Sequence, residues 1–341
     1  CGSLQKNSTL NNILKEFNND PSVCVLTETT SNLHDENFIS SIDRTLERLN
    51  DNPSFFPEIV ITIGNSIISK KLKKLLRKNK PQEHWHIEET NRAQDIFSSL
   101  THFIPINPEE FLKEFLDDYL SNKKSDFSNI WSLEFNKSEE NHFQYLSTCK
   151  WSDLKAHELI QKQLDGKKVN LQMGNSTSVR YVQLFQQQKE IKYNSNRGVS
   201  GIDGSSSTAI GAASVSNELT VLITGDLSFI YDQHALWNNE VPKNLKIIVV
   251  NNQGGGIFNI ISGPKTTPYS KEFFETSHEI SLKKIAATFK INYQKASNES
   301  QAVEYLNNAF SSKDVEIIEL FTGDIKNENI LNDYFTNIKK D

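Results

Sequence analysis

Two apolar segments in the middle of the chain each end in residues that carry oxygen ligands. Residues 220–223 are followed by Gly225-Asp226, and residues 247–250 are followed by Asn251-Asn252 and a glycine turn. The polar segment between them has the length of a crossover helix, so the pattern predicts two parallel strands whose carboxyl ends lie together. Open α/β sheets bind their ligands at that edge. One carboxylate, one amide oxygen and a turn carbonyl suit Mg²⁺ only if a phosphorylated group completes the site.

The order and interval of these residues resemble the diphosphate-binding motif of thiamine diphosphate enzymes, in which Gly-Asp-Gly precedes Asn-Asn. The resemblance implies thiamine diphosphate as cofactor and a bound Mg²⁺ or Mn²⁺. It implies that Asp226, Asn252 and the Gly254 carbonyl hold the metal. Counting back from the glycine turn selects Asn252, and Asn251 stays the alternative. Leu227 departs from the pattern, because most of the superfamily has glycine there.

Two further motifs precede this one. Gly174 to Arg180 follows the apolar run 169–173, and Asn196 to Gly204 follows the strand-like segment 191–195. Together with Asp226-Leu227-Ser228, Tyr231-Asp232 and residues 249–258, they resemble one family in order and spacing. The family that they resemble is that of the menaquinone-pathway synthases, which make 2-succinyl-5-enolpyruvyl-6-hydroxy-3-cyclohexene-1-carboxylate. In that family the Gly-Asp-Leu variant is the expected form, so Leu227 supports the resemblance.

The resemblance implies roles for residues in all of these motifs. It assigns cofactor contacts to Gly174, Asn175, Ser200, Gly201, Ile202, Asp203, Gly225, Asp226, Leu227, Ser228, Gly255, Ile257 and Phe258. It assigns substrate contacts to Ser176, Arg180, Arg197, Lys70 and Lys71. The implied substrates, 2-oxoglutarate and isochorismate, are dianions, and arginine binds a carboxylate with two parallel hydrogen bonds. For the lysine-rich segment, the solvated face of an amphipathic helix is the alternative, and Lys71 stands where the family has arginine.

Composition excludes several classes of protein. The chain has 341 residues and a net charge of −6, and it has no basic stripe, so we expect no nucleic-acid partner. No apolar run approaches the ~20 residues that span a bilayer, so we expect no membrane partner. Three scattered cysteines do not suit a disulfide framework or a metal cluster. Reduced thiols and a cytoplasmic location are the expectation.

The alternation of strands and helices predicts an α/β protein with two consecutive doubly wound parallel-sheet domains. Predicted strands comprise residues 23–26, 58–64, 85–88, 169–173, 191–195, 220–223, 246–250 and 315–320, and residues 67–77 form a predicted helix. Residues 121–140 have little periodicity, which is typical of a connection. By resemblance, residues 1–140 are a central, transhydrogenase dIII-like domain with this connecting segment. Residues 141–341 are the thiamine-diphosphate-binding domain that holds the diphosphate and Mg²⁺.

The family also has a pyrimidine-binding domain that carries an activating glutamate, and we find no motif for it here. Because the only methionine is Met173, we expect the chain to be an excised fragment. Because the domain with the activating glutamate is missing from it, we expect no synthase activity of the chain alone. The complete enzyme would decarboxylate 2-oxoglutarate, add the succinyl-semialdehyde unit to isochorismate and release CO₂, and it would be a homodimer or homotetramer. The alternatives are an acetolactate-synthase-like or decarboxylase member and a non-catalytic cofactor-binding module. A nucleotide-binding protein is disfavoured because no Gly-X-Gly-X-X-Gly follows a strand.

Overall fold

The computed structural model describes residues 1–49, 52–90, 92–119, 124–238, 240–259 and 267–341. These residues form two compact units. The first comprises Cys1–Gln144, Gln183–Gln187 and Phe335–Asp341, and the second comprises Tyr145–Val182 and Gln188–Tyr334. The assignment of residues 1–140 and 141–341 to a central and a cofactor-binding domain stays a prediction.

The first unit contains a small parallel sheet with the strand order β1-β2-β3. Its elements are α1 Ser8–Asn18, α2 Ile42–Arg48, β1 Ile59–Ile63, α3 Lys70–Lys78, β2 Glu83–Ile87, β3 His102–Ile104, α4 Pro108–Asp118 and α5 Phe127–Thr148, whose last residues belong to the second unit. Short 3-10 turns comprise Thr29–Ser31 and Pro53–Phe55. In several helices, a side chain at the N-terminus accepts a hydrogen bond from a backbone N–H group of the first turn. Asn7 Oδ1, for example, accepts a hydrogen bond of 3.0 Å from Leu10 N at the start of α1.

Two expectations from the sequence are wrong in this unit. Residues 23–26 do not form a strand, because Leu26 makes an isolated parallel bridge with Ile39 and Val25 packs into a hydrophobic core. Residues 127–140 belong to α5 instead of an irregular connection. Residues 121–123 of the predicted connection lie outside the described part of the chain.

The second unit is built on a six-stranded parallel sheet with the order β5-β4-β6-β7-β9-β8. Its elements are α6 Asp153–Leu164, β4 Val169–Met173, α7 Thr177–Val182, β5 Ile191–Ser195, α8 Ser205–Ser214, β6 Leu219–Gly225, α9 Asp226–Tyr231, β7 Leu245–Asn251, α10 Leu282–Thr288, β8 Asn292–Ala296, α11 Glu299–Ser311, β9 Glu316–Phe321 and α12 Asn327–Ile338, whose last residues belong to the first unit. Shorter helical turns comprise Gln233–Trp237, Gly256–Asn259 and Ser270–Glu275. The two parallel sheets confirm the predicted α/β class.

The centre of this sheet brings the functional motifs together. All seven residues of β7 are buried, as expected for a parallel strand covered on both faces. The register pairs Gly225 with Val250 and Met173 with Ile223, so the carboxyl ends of β4, β6 and β7 lie side by side. Strand β5, which follows β4 along the chain, lies on one side of the β4–β6 pair, and β7, which follows β6, lies on the other side. The topological switch point, where open α/β sheets bind ligands, therefore lies between β4 and β6.

Among the described residues, no helix has both the length and the apolar character that a membrane crossing requires.

Candidate functional site

Asp226 lies at the carboxyl end of β6, as the first residue of α9, and it is buried. Its Oδ1 accepts a hydrogen bond of 2.7 Å from Leu227 N, and its Oδ2 accepts one of 2.9 Å from Gly254 N. The structure therefore joins the residue after β6 to the glycine turn after β7, as the sequence predicts.

Asn251 and Asn252 have different surroundings. Asn251 is the last residue of β7 and is buried. Its Nδ2 donates to Glu319 Oε1 at 3.0 Å, and its Oδ1 accepts from Gln253 N at 3.0 Å. Asn252 is half-buried, and its Nδ2 donates to Asp153 Oδ2 at 2.8 Å. Both polar atoms of Asn251 are thus engaged within the protein, whereas Asn252 has an amide oxygen that a cation can use.

The turn after Asn252 depends on glycine. Gly254 has φ of +153°, and a Cβ added there would lie 2.6 Å from the Glu275 carbonyl oxygen. A Cβ on Gly255 would lie 2.8 Å from the Phe274 carbonyl oxygen. Gly255 N donates to Glu275 O at 2.5 Å. No side chain fits between these backbones, so glycine fixes the position of the turn beside Asp226.

At the end of β4, Gly174 packs against β6, since a Cβ added there would lie 2.9 Å from Thr224 Oγ1. Asn175 is buried, and Ser176 has φ of +70°, in the left-handed region. Arg180 lies on α7, and its Nη1 donates to Ser176 O. These four residues therefore lie at the same edge of the sheet as Asp226, while their proposed roles stay predictions.

The loop after β5 is held in place by side chains from two other elements. Asn175 Nδ2 donates to Asn196 O and to Gly201 O, each at 2.7 Å, and Asn175 Oδ1 accepts from Arg197 Nη1 at 2.7 Å. Ser228 Oγ donates to Ile202 O at 2.5 Å. In this loop Ser200 and Asp203 are exposed and Ile202 is half-buried.

The remaining predicted site residues lie in two places. Ile257 and Phe258 follow the glycine turn in the helical turn Gly256–Asn259, with Ile257 buried and the Phe258 ring 5.4 Å from that of Phe274. Lys70 and Lys71 lie on α3 of the first unit. Lys71 Nζ contacts Glu47 and lies 3.3 Å from the centre of the Phe335 ring. The contacts of Lys71 thus include a carboxylate and an aromatic ring of its own unit, and a substrate role for it stays a prediction.

Two residues at this edge, His278 and Asp153, escape sequence reasoning, and a third, Asp232, belongs to a motif that carries the resemblance but is assigned no role by it. His278 Nε2 lies 3.2 Å from Asp226 Oδ2, and this hydrogen bond raises the pKa of His278. Asp232 caps the first turn of α8 by accepting hydrogen bonds of 2.8 Å from both N and Oγ of Ser207. Asp153, on α6, accepts from Asn252. His278 and Asp153 are distant along the chain from the residues they contact, so no local spacing marks them.

The residues present fit a diphosphate held through a divalent cation. A buried carboxylate, an amide oxygen and a turn carbonyl are hard oxygen donors, and this set has too little charge to hold Mg²⁺ without phosphate oxygens. Asp226 and Asn252 lie at the ends of adjacent strands, with the Gly254 turn hydrogen-bonded to the first of them. Among the described residues, no cluster of three or more His, Cys, Asp or Glu side chains offers a metal site of another kind.

Comparisons with known proteins agree with this geometry. Residues 172–320 match the family model described as "Thiamine pyrophosphate enzyme, C-terminal TPP binding domain". The chain is 44% identical over 335 residues to the 2-succinyl-5-enolpyruvyl-6-hydroxy-3-cyclohexene-1-carboxylate synthase of Flavobacterium psychrophilum, covering 96% of this chain and 60% of that protein. Identity to the synthase of Flavobacterium johnsoniae is 42%, covering 98% of this chain and 60% of that protein. Identity to the synthase of Porphyromonas gingivalis is 36%, covering 93% of this chain and 56% of that protein. The chain thus spans about 60% of the length of the relatives it matches.

Proposed function

The chain belongs to the family of 2-succinyl-5-enolpyruvyl-6-hydroxy-3-cyclohexene-1-carboxylate synthases, and from this premise we propose that it binds thiamine diphosphate through Mg²⁺ and serves that synthase reaction. The reaction joins the succinyl-semialdehyde unit of 2-oxoglutarate to isochorismate in menaquinone biosynthesis and releases CO₂. The observation that carries the proposal is the junction of Asp226 with the Gly254 turn, beside Asn252, at the carboxyl edge of a parallel sheet.

The protein's part in this proposal is to bind and orient. Asp226, Asn252 and the Gly254 carbonyl would hold the cation that carries the diphosphate. When bound, thiamine diphosphate supplies the carbon nucleophile for decarboxylation of a 2-oxo acid. Ile202, Ile257 and Phe258 would give the cofactor an apolar lining that limits the access of water.

Arg180 and Arg197 would bind substrate carboxylates. Both belong to segments at the sheet edge that carries Asp226, and a guanidinium group binds a carboxylate with good geometry. Two arginines suit 2-oxoglutarate better than pyruvate, which has a single carboxylate. A comparison of turnover with the two oxo acids distinguishes this proposal from an acetolactate-synthase-like activity, for which pyruvate would be preferred. Sedimentation velocity tests the proposed homodimer or homotetramer.

The experiment that tests cofactor binding is a calorimetric titration of the chain with thiamine diphosphate, with and without Mg²⁺. We expect binding that requires Mg²⁺ and that weakens by at least about 100-fold in Asp226→Asn, since even loss of an outer partner of a metal ligand costs 10–100-fold. Asp324→Asn is the matched control, because Asp324 is an exposed carboxylate that follows β9. Binding without metal, or equal affinity in the two variants, would contradict the proposal. A direct assay of synthase activity decides whether the chain of residues 1–341 is active by itself. Its inactivity stays a prediction.

A further inference from the structure

The neighbouring side chains of Asn251 and Asn252 are each held by a different buried carboxylate. Asn251 Nδ2 donates to Glu319, and Asn252 Nδ2 donates to Asp153 Oδ2 at 2.8 Å. An asparagine amide has its donor and its acceptor on opposite branches, so a partner that fixes Nδ2 also fixes where Oδ1 lies. The carboxylate of Asp153 therefore determines which atom Asn252 presents on its other side.

Asp153 is itself held firmly. It is the first residue of α6 and is 2% exposed. Its Oδ1 accepts a hydrogen bond of 2.5 Å from Thr322 Oγ1, and its backbone N donates to Asn327 Oδ1 at 2.7 Å. With one oxygen engaged by Thr322, the other faces Asn252. A carboxylate without hydrogens accepts hydrogen bonds and donates none, so it selects the Asn252 amide hydrogens and excludes Oδ1.

We propose that Asp153 is a positioning residue for the divalent cation, which keeps the Asn252 oxygen, not its nitrogen, available as a ligand. The inference rests on the proposed function and goes beyond it, because Asp153 lies 99 residues from Asn252 along the chain and would not touch the metal. Outer partners that orient metal ligands in this way typically change metal affinity by 10–100-fold when they are replaced. In the flipped orientation the amide would direct N–H groups at the cation, which repel it.

The test measures Mn²⁺ binding to the chain in the presence of thiamine diphosphate, by the electron paramagnetic resonance signal of free Mn²⁺. In Asp153→Asn the new side chain can place an NH₂ group against Asn252 Nδ2 and so favour the flipped amide. We expect a loss of about 10–100-fold in Mn²⁺ affinity. The double variant Asp153→Asn/Asn252→Asp reverses the hydrogen bond, since the amide introduced at position 153 would donate to the carboxylate introduced at position 252, and we expect the affinity to return. Thermal unfolding of each variant accompanies the titrations.

Glu328→Gln is the matched control for charge. Glu328 lies in the first turn of α12, close enough to Asp153 to interact with its charge, and it makes no contact with Asn252 in the described structure. We expect its Mn²⁺ affinity to stay close to that of the unaltered protein. If Asp153→Asn binds as tightly as Glu328→Gln, or if the double variant does not recover, the inference is overturned. If the unaltered protein shows no Mn²⁺-dependent binding, the proposed function and this inference fall together.

Discussion

The backbone amide of Gly254 donates a hydrogen bond of 2.9 Å to Oδ2 of Asp226. This bond connects the ends of two adjacent strands, although the residues are 28 positions apart along the chain. It shows that the glycine turn is fixed by the same carboxylate that is the predicted metal ligand. A change in the conformation of the turn should therefore alter metal binding, and a substitution at Asp226 should alter the conformation of the turn.

Gly254→Ala tests this connection. The added Cβ would lie 2.6 Å from the Glu275 carbonyl, and φ of +153° is unfavourable for alanine, so the turn must move. Strain of this kind costs about 1–3 kcal/mol. We expect Mg²⁺-dependent binding of thiamine diphosphate to weaken by about 10-fold or more, as a titration would measure.

Gly211→Ala is the control for that substitution. Gly211 lies within α8, and no atom lies within 4 Å of a Cβ added there. Alanine in a helix interior is favoured over glycine by about 0.5–1 kcal/mol. We expect unchanged cofactor binding and slightly greater stability. If both variants bind alike, the geometry of the Gly254 turn is unimportant for the site.

Asn175→Ala should release the loop after β5. The substitution removes two hydrogen bonds to the carbonyls of Asn196 and Gly201 and the acceptor for Arg197. We expect faster hydrogen exchange in residues 196–204 and weaker binding of a dicarboxylate substrate, with a loss of about 1–2 kcal/mol in stability. Asn194→Ala, which removes an exposed hydrogen bond of 2.9 Å to Asn170, serves as the control. Equal exchange in the two variants would contradict the role of Asn175 in holding the loop.

The ion pair of Arg44 with Glu139 joins α2 to α5 within the first unit, and the Arg44 side chain is 0% exposed. Removal of one member of a buried ion pair typically costs about 3–5 kcal/mol, because the charge that stays behind loses that interaction. We therefore expect Glu139→Gln to lower the free energy of unfolding by about 3 kcal/mol in urea denaturation. The double variant Arg44→Met/Glu139→Leu should recover much of that loss. Lys192→Gln, at an exposed pair with Glu218, should change stability by less than about 1 kcal/mol.

His157 should make the protein less stable in acid. Burial lowers the pKa of His157 from 6.5 to about 4. Between these values the unfolded chain binds a proton that the folded chain does not, so the free energy of unfolding falls as the pH falls from 6.5 to 4. Each pKa unit corresponds to about 1.4 kcal/mol, which gives about 3 kcal/mol for this residue.

His157→Gln removes that proton uptake. We expect the stability of the variant relative to the unaltered protein to rise as the pH falls from about 6.5 to 4, in urea denaturation at a series of pH values. His142, whose pKa burial and Arg44 lower to about 2, contributes in the same direction and is present in both proteins. A difference in stability that does not vary with pH would show that His157 is not the group responsible.

Much of the second unit could be predicted from sequence because its strands are short apolar runs that end in distinctive residues. The sequence places Asp226, Asn252 and Gly174 at strand ends, and the structure has them there. Strand β8 escapes prediction because it is a polar edge strand, with Asn292 and Lys295 exposed. An edge strand buries little of its surface and so lacks the apolar run of a central strand.

Helix α5 is missed for a different reason. Its buried face follows helical spacing, but half of that face is polar: the buried residues are Trp131, Phe135, Ser138, Glu139, His142 and Leu146. Glu139 is paired with Arg44, which lies far from it along the chain. Hydrophobic periodicity cannot show a face of this kind. For the same reason Asp153 and His278 at the site are recognised from the folded structure and not from spacing.

Because successive side chains of a strand point to opposite faces, the register of β7 decides which asparagine is turned into the sheet and which is turned to the ligand edge. Asn251 pairs with Phe321 and reaches Glu319, and the next residue reaches Asp153. Insertion or deletion of a single residue within β7 would shift both asparagines by one position and separate each from its carboxylate. Changes of length before β7 leave the register intact. The number of residues between Asp226 and the start of β7 is therefore less constrained than the length of β7 itself, which the contacts of the two asparagines fix.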